Sequence, residues 1–129
     1  MAFHVNLKDA PTRSLRGERG TAYQLVDQAH GGSHNVDFHV NVLRPGSGPG
    51  PYHYHSNSDN LYFVLEGRAR VLIEGEPLEA GPGEAVFIPA GEKHDVTNIG
   101  PGELRIVEVR APAESDFIIV PHPEAPQAG

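Results

Sequence analysis

The chain contains no cysteine. Disulfides and thiolate ligands are therefore excluded, and any metal must be held by imidazole, carboxylate, amide or water. Long apolar runs are also missing. The start, Met1-Ala2-Phe3-His4-Val5-Asn6-Leu7-Lys8, lacks the hydrophobic stretch of a secretion signal, and no segment approaches the length of a membrane span. A cytoplasmic location without a membrane partner is expected. Positive charge is scarce: ten Lys and Arg against 17 Asp and Glu give a formal net charge of −7. That balance disfavours nucleic acid and anionic membrane surfaces as partners. It leaves a small-molecule substrate or ligand open, because a pocket can carry a local charge opposite to the total. Helical periodicity is missing as well, apart from something short around residues 17–23.

Glycine and proline are plentiful, at 15 and 12 of 129 residues. They are scattered between short apolar runs, which is the distribution of turn punctuation in an all-β protein. The runs are Ala22–Asp27, Val36–Arg44, Tyr52–His55, Leu61–Leu65, Ala69–Glu74, Ala85–Pro89, His94–Asn98, Leu104–Val109 and Phe117–Val120. Each is rich in Val, Ile, Phe or Tyr and bounded by Gly, Pro, Asn or Asp. Nine short strands with frequent turns predict a single domain, a β-sandwich or barrel of the jelly-roll kind. Its expected extent is residues 21–120. Residues 1–20, polar and basic, form an N-terminal arm that orders against the body or against a partner subunit. Residues 121–129 form a loose, Pro-rich tail.

One strand is apolar on both faces. In Asn60-Leu61-Tyr62-Phe63-Val64-Leu65, alternation puts Asn60, Tyr62 and Val64 on one side and Leu61, Phe63 and Leu65 on the other. The second face needs cover from another sheet or from a neighbouring copy, so a homodimer is favoured.

The chemistry concentrates in three histidines. His53 and His55 are spaced i, i+2 in Pro51-Tyr52-His53-Tyr54-His55, which puts both on one face of a strand with Cβ atoms about 7 Å apart. His94 opens a later strand after the turn residues Gly83, Pro89 and Gly91, with Val96 and Asn98 on its face. A lone histidine is usually a surface residue or a satisfied core residue. Three at this spacing can converge on one ion, and imidazoles suit Fe, Mn, Ni, Zn or Cu.

These segments resemble the two sequence motifs of the cupin superfamily. The second motif, G-x5-P-x-G-x2-H-x3-N, is matched at every fixed position by Gly83, Pro89, Gly91, His94 and Asn98. The first, H-x-H-x(3,4)-E-x6-G, is matched by His53, His55 and Gly67, but Asn60 stands where glutamate belongs. The resemblance covers about residues 35–120. It implies a double-stranded β-helix, a jelly-roll barrel, with a divalent transition metal held in its interior by His53, His55, the residue at position 60 and His94. It does not choose an activity, since the superfamily hosts many.

Asn60 leaves three arrangements open for a metal site: weak ligation by its amide oxygen, a three-histidine site completed by water or substrate, or substitution by neighbouring Asp59. Alternation places Asp59 on the face opposite Tyr62, so it reaches the metal only through a bulge. A fourth outcome is no functional metal. With a neutral amide, or with no fourth ligand, the dipositive charge is undiminished and an anionic or chelating ligand is welcome. The three-histidine arrangement is similar to that of thiol dioxygenases in the same superfamily and to zinc sites where water completes three histidines.

Other residues carry less. Tyr62 faces the cup and is a candidate for positioning substrate through its hydroxyl, with core packing as the alternative. In Val36-Asp37-Phe38-His39-Val40-Asn41-Val42 the apolar set Phe38, Val40 and Val42 reads as the core face, which turns His39 and Asn41 toward solvent or a partner. His30 and His34 sit in a turn, His4 and His122 in the termini, and Arg68 and Arg70 on a solvated face. Asn98 is expected to hydrogen-bond a turn. Three functions follow: a small metalloenzyme, dioxygenase-like, with isomerase and lyase chemistry behind it for want of a base beside the cup; a non-enzymatic small-ligand module; or a structural cupin with a degenerate site.

Overall fold

The computed structural model describes residues 2–124. Eleven strands run in chain order: β1 Thr12–Ser14, β2 Gly20–Val26, β3 Asp37–Leu43, β4 His53–Tyr54, β5 Asp59–Glu66, β6 Ala69–Ile73, β7 Glu76–Ala80, β8 Ala85–Ile88, β9 His94–Asn98, β10 Leu104–Ala111 and β11 Ile118–Ile119. They form two antiparallel sheets. The first has the order β1-β2-β3-β10-β5-β8 and the second β11-β4-β9-β6-β7. The all-β class expected from the turn-punctuated sequence is what the chain adopts.

The packing follows from alternation. On β5 the residues alternate exposed and buried from Asp59 to Val64, with Asn60, Tyr62 and Val64 inside. Leu43, Val64, Val71, Ile88, Leu104 and Ile106 from both sheets make one buried cluster. Burying an aliphatic side chain of this size stabilises by about 1.5–3 kcal/mol, so this end of the barrel holds the sheets together. Gly67 closes the hairpin from β5 to β6 at φ 89°, and a Cβ there would lie 2.6 Å from the Glu103 carbonyl oxygen. Only glycine tolerates both conditions.

Two strands carry no hydrophobic alternation and are not legible as strands. β1 is polar and exposed, and is recruited by pairing Thr12–Ser14 with β2. β7 lies at the edge of the second sheet with a proline and two glutamates in five residues. The helical period around residues 17–23 is not a helix. A 3-10 turn at Arg16–Glu18 contains Gly17 at φ 72°, and β2 begins at Gly20. Within the N-terminal segment, Arg19 is buried and donates to the carbonyl oxygens of Val96 (2.6 Å) and Gly48 (3.2 Å). In the expected tail, His122 bonds Asp95 at 2.5 Å and Glu124 pairs with Arg70 at 2.7 Å. Residues 125–129 of that tail lie outside the described residues.

Candidate metal centre

β4 and β9 pair so that His53 and His94 are directly opposed, and His55 follows β4 by one residue. A hydrogen bond of 2.8 Å from the Gly91 backbone N–H to the His55 carbonyl ties the turn before β9 to this strand. Each imidazole has its Nδ1 against a backbone carbonyl: His53 on Pro51 (2.7 Å), His55 on Asp116 (2.7 Å) and His94 on Glu92 (2.8 Å). A carbonyl oxygen only accepts, so each Nδ1 carries the proton and each Nε2 presents a lone pair. The ligand atoms of the three lie within 4.8 Å of one another, and all three residues are buried. Burial, followed by the neighbouring imidazole of His94, lowers the His53 pKa to about 3. Burial also lowers those of His55 and His94. These are neutral donors fixed in one tautomer.

Asn60 projects inward from β5 and is buried. Its Nδ2 lies 3.2 Å from His94 Nε2, while its Oδ1 has no partner among the described residues. Rotating the amide by half a turn exchanges the two atoms and brings the oxygen to the imidazole cluster. His55 Nε2 is likewise buried without a partner. Two orphaned acceptors among fixed neutral imidazoles fit a borderline divalent cation. Asp59 lies on the other side of the strand, exposed, and accepts from the Ala90 N–H at 3.0 Å.

Tyr62 is fully enclosed, with its ring centroid 6.3 Å from that of His94. Burial raises its pKa well above the ordinary value, so its hydroxyl keeps its proton. Phe117 stacks on His53 at 4.1 Å, and the Arg16 guanidinium lies 5.3 Å from the Phe117 ring centre. Asn98 takes the expected turn role: its Nδ2 donates to the carbonyls of Leu43 (3.0 Å) and Gly102 (2.9 Å), and its Oδ1 accepts from Gly100 N–H.

The structure corrects the reading of β3. His39 and Asn41 face inward, not toward solvent or a partner, and both are buried. The outer set misled because Val40 and Val42 are also buried, in the middle of the first sheet between β2 and β10. β3 is covered on both sides, so apolar character does not distinguish its faces.

His39 belongs to a charged network absent from the sequence reading. Its Nδ1 lies 2.8 Å from Asp37 Oδ1 and its Nε2 2.9 Å from Glu108 Oε1. Asn41 Nδ2 donates to Glu108 Oε1 at 2.8 Å, Gln24 donates to Asp37 at 2.8 Å, and Arg110 Nη2 pairs with Asp37 Oδ2 at 2.8 Å. Burial alone would lower the His39 pKa, but Glu108 and Asp37 outweigh it and raise the value to about 9. Burial pushes Glu108 up, yet the His39 charge overrides it and holds the carboxyl well below its ordinary range. The network is therefore ionised at neutral pH. A signal existed: Asp37, His39 and Asn41 alternate on β3 as Glu108 and Arg110 do on β10, and the register pairs His39 with Glu108.

Both groups line one cavity of about 440 Å³, within the usual range for small-molecule sites. His53, His55 and Tyr62 border it, as do His39, Asn41, Glu108 and Arg110, with Arg13, Arg16 and Phe117 among the other lining residues.

The family model of the cupin domain matches residues 39–110. The polyketide cyclase RemF from Streptomyces resistomycificus is similar in structure, with a TM-score of 0.79 at 28% identity, covering 96% of this chain and 89% of that one. Among curated sequences, polyketide synthase CurC of Streptomyces cyaneus is 28% identical over 80% of this chain and 65% of its own length. An uncharacterised protein of Methanocaldococcus jannaschii is 34% identical over 43% of this chain and 44% of its own. The matches thus span less than two thirds of these curated relatives.

Proposed function

From the premise that the chain belongs to the cupin domain family, we propose that it is a metal-dependent enzyme acting on a small oxygenated organic substrate inside the barrel. His53, His55 and His94 hold a divalent transition metal through Nε2, with Asn60 completing the set through its amide oxygen or leaving that position to water or substrate. The observation that carries this reading is the set of three Nδ1–carbonyl bonds. They lock three lone pairs toward one point in a buried place, which a purely structural cluster has no need of. Bound there, the metal supplies a Lewis acid whose charge the neutral ligands leave undiminished.

The reaction we favour is proton transfer, as in an isomerase, lyase or cyclase. The sequence offered no base near the histidines. The structure adds Glu108, an ionised carboxylate on the same cavity whose low proton affinity suits it to orient a substrate hydroxyl or steady positive charge rather than to take up a proton. Tyr62 is the donor placed to orient a substrate oxygen, because its hydroxyl stays protonated in the cavity wall. The likeness to a polyketide cyclase supports the same class. Dioxygenation is the second reading, favoured by the three-histidine donor set. A ligand-binding module without turnover uses the same cup and differs only in leaving its ligand unchanged.

The second apolar face of β5 supports a homodimer. Leu61, Phe63 and Leu65, together with Phe87 on β8, are exposed side by side on the first sheet.

Metal analysis on protein purified without a histidine tag tests the proposal. One metal per chain, removed by His53→Ala or His94→Ala, is expected. No metal under any loading condition eliminates every reading that depends on the ion. Stoichiometric iron with substrate-dependent oxygen uptake selects dioxygenation over proton transfer.

A further inference from the structure

Among the described residues, four buried side-chain atoms lack any hydrogen-bond partner: His55 Nε2, Asn60 Oδ1, Asn41 Oδ1 and Arg110 Nε. The first two belong to the metal centre. The other two belong to residues on the same cavity in the first sheet, beside Glu108. Leaving a buried polar group unpaired is costly, so a pair of them on residues of one cavity wall is a reason to look for a ligand there.

Their chemical sense is determined. Asn41 is 6 % exposed, and its Nδ2 is committed to Glu108 Oε1, a carboxylate oxygen that only accepts. The amide cannot be turned round without setting oxygen against oxygen, so the orphan atom is an acceptor. Glu108 takes both of its hydrogen bonds on Oε1, from His39 and Asn41, which leaves Oε2 as a second acceptor without a partner among the described residues. Arg110 pairs with Asp37 through Nη2 and keeps Nε–H as a donor. The wall therefore offers two acceptors, Asn41 Oδ1 and Glu108 Oε2, and one donor, Arg110 Nε–H; a hydroxyl, which donates one hydrogen bond and accepts another, meets the donor and one acceptor at once. The wall disfavours a carboxylate, because Glu108 is itself ionised and faces the same space. At the imidazole end the preference is reversed: neutral ligands around a dipositive ion favour anionic, chelating oxygens.

We infer that the cup takes a hydroxylated organic acid in one orientation, with its chelating oxygens at His53, His55 and His94 and a hydroxyl group that donates to Asn41 Oδ1 and accepts from Arg110 Nε–H. The assignment rests on the metal-dependent reading above and adds the substrate class and the residues that select it. Asn41 is the specificity-determining residue, since its oxygen has no other partner among the described residues.

Isothermal titration of the metal-loaded full chain with two probes tests it. Salicylate supplies a chelating carboxylate and phenol. β-Resorcylate is the same molecule with one more hydroxyl, para to the carboxyl. The wild type should bind β-resorcylate about tenfold more tightly, the increment expected of one added hydrogen bond in a buried site. In Asn41→Leu that increment should disappear while salicylate affinity stays the same. If the leucine variant does not fold, Asn41→Ser, which withdraws the amide and keeps a small side chain, should show the same loss. Equal affinity of the two probes for the wild type overturns the assignment, as does an increment that survives the Asn41 substitution, or failure of both probes to bind. The metal reading is checked separately by salicylate: if it binds metal-stripped protein equally well, that reading falls, whereas the hydroxyl increment still decides the role of Asn41.

Discussion

His53 and His94 stand directly opposite each other on β4 and β9, with ring centroids 4.4 Å apart and each Nδ1 tied to a carbonyl two residues before it. Neither ring can turn away from the other, so a bound cation is held by donors already in place. Metal should therefore stabilise the fold strongly. At a hundredfold excess over Kd, metal adds about 2.7 kcal/mol, or roughly 5–15 °C in melting temperature for a chain of this size. Differential scanning calorimetry with and without a chelator measures it, and His94→Ala should abolish the difference. Identical melting curves for loaded and stripped wild type would contradict the site.

Replacing Asn60 by glutamate restores a charged ligand at a position that is already buried and beside His94. Asn60→Glu is expected to tighten metal binding by roughly tenfold or more. Competition against a chromophoric chelator reads this directly. A variant that binds metal no better than wild type shows that Asn60 does not face the ion.

The His39 network predicts an alkaline loss of stability. Its folded pKa, about 9, lies above the ordinary value of 6.5, so between these the folded state holds a proton that the unfolded state has released. The stabilisation is full below about pH 6.5 and is lost as pH rises through about 9, on the order of 3 kcal/mol in all. Urea denaturation across that range should show the fall. Glu108→Gln should flatten it and lower stability at neutral pH by roughly 3–5 kcal/mol, because the imidazolium loses a buried partner. A wild type equally stable at both ends of the range rules out a protonated His39.

The exposed apolar set on the outer face of β5 and β8 predicts self-association. Phe87 is 56 % exposed and sits opposite Leu61, beside Phe63 and Leu65. Light scattering after size exclusion should show a dimer, and the double substitution Phe63→Glu and Phe87→Glu should yield a monomer with unchanged metal content. A wild type that runs as a monomer at micromolar concentration removes the proposal.

Much of this protein is determined locally, and that part is legible without coordinates. Both alternating sets of Asn60–Leu65 are apolar, and it was Asn60, on the face of Tyr62 and Val64, that told the inside of β5 from the outside; the structure buries that set. The i, i+2 spacing of His53 and His55, with the turn glycines before His94, put three imidazoles together because strand geometry leaves them little choice. Where local pattern is ambiguous, the tertiary structure decides. β3 is covered on both sides, so its hydrophobicity could not orient it. Only pairing with β10 sets His39 against Glu108 and turns Asn41 into the cavity. The alternation of Glu108 and Arg110 on β10 hinted at an inward polar face, but nothing local set it against β3, since their partners lie about seventy residues away in sequence. Short-range spacing thus pairs His53 with His55, and His94 joins them through the pairing of β9 with β4. The opposing wall of the cavity exists only once two distant strands are brought into register.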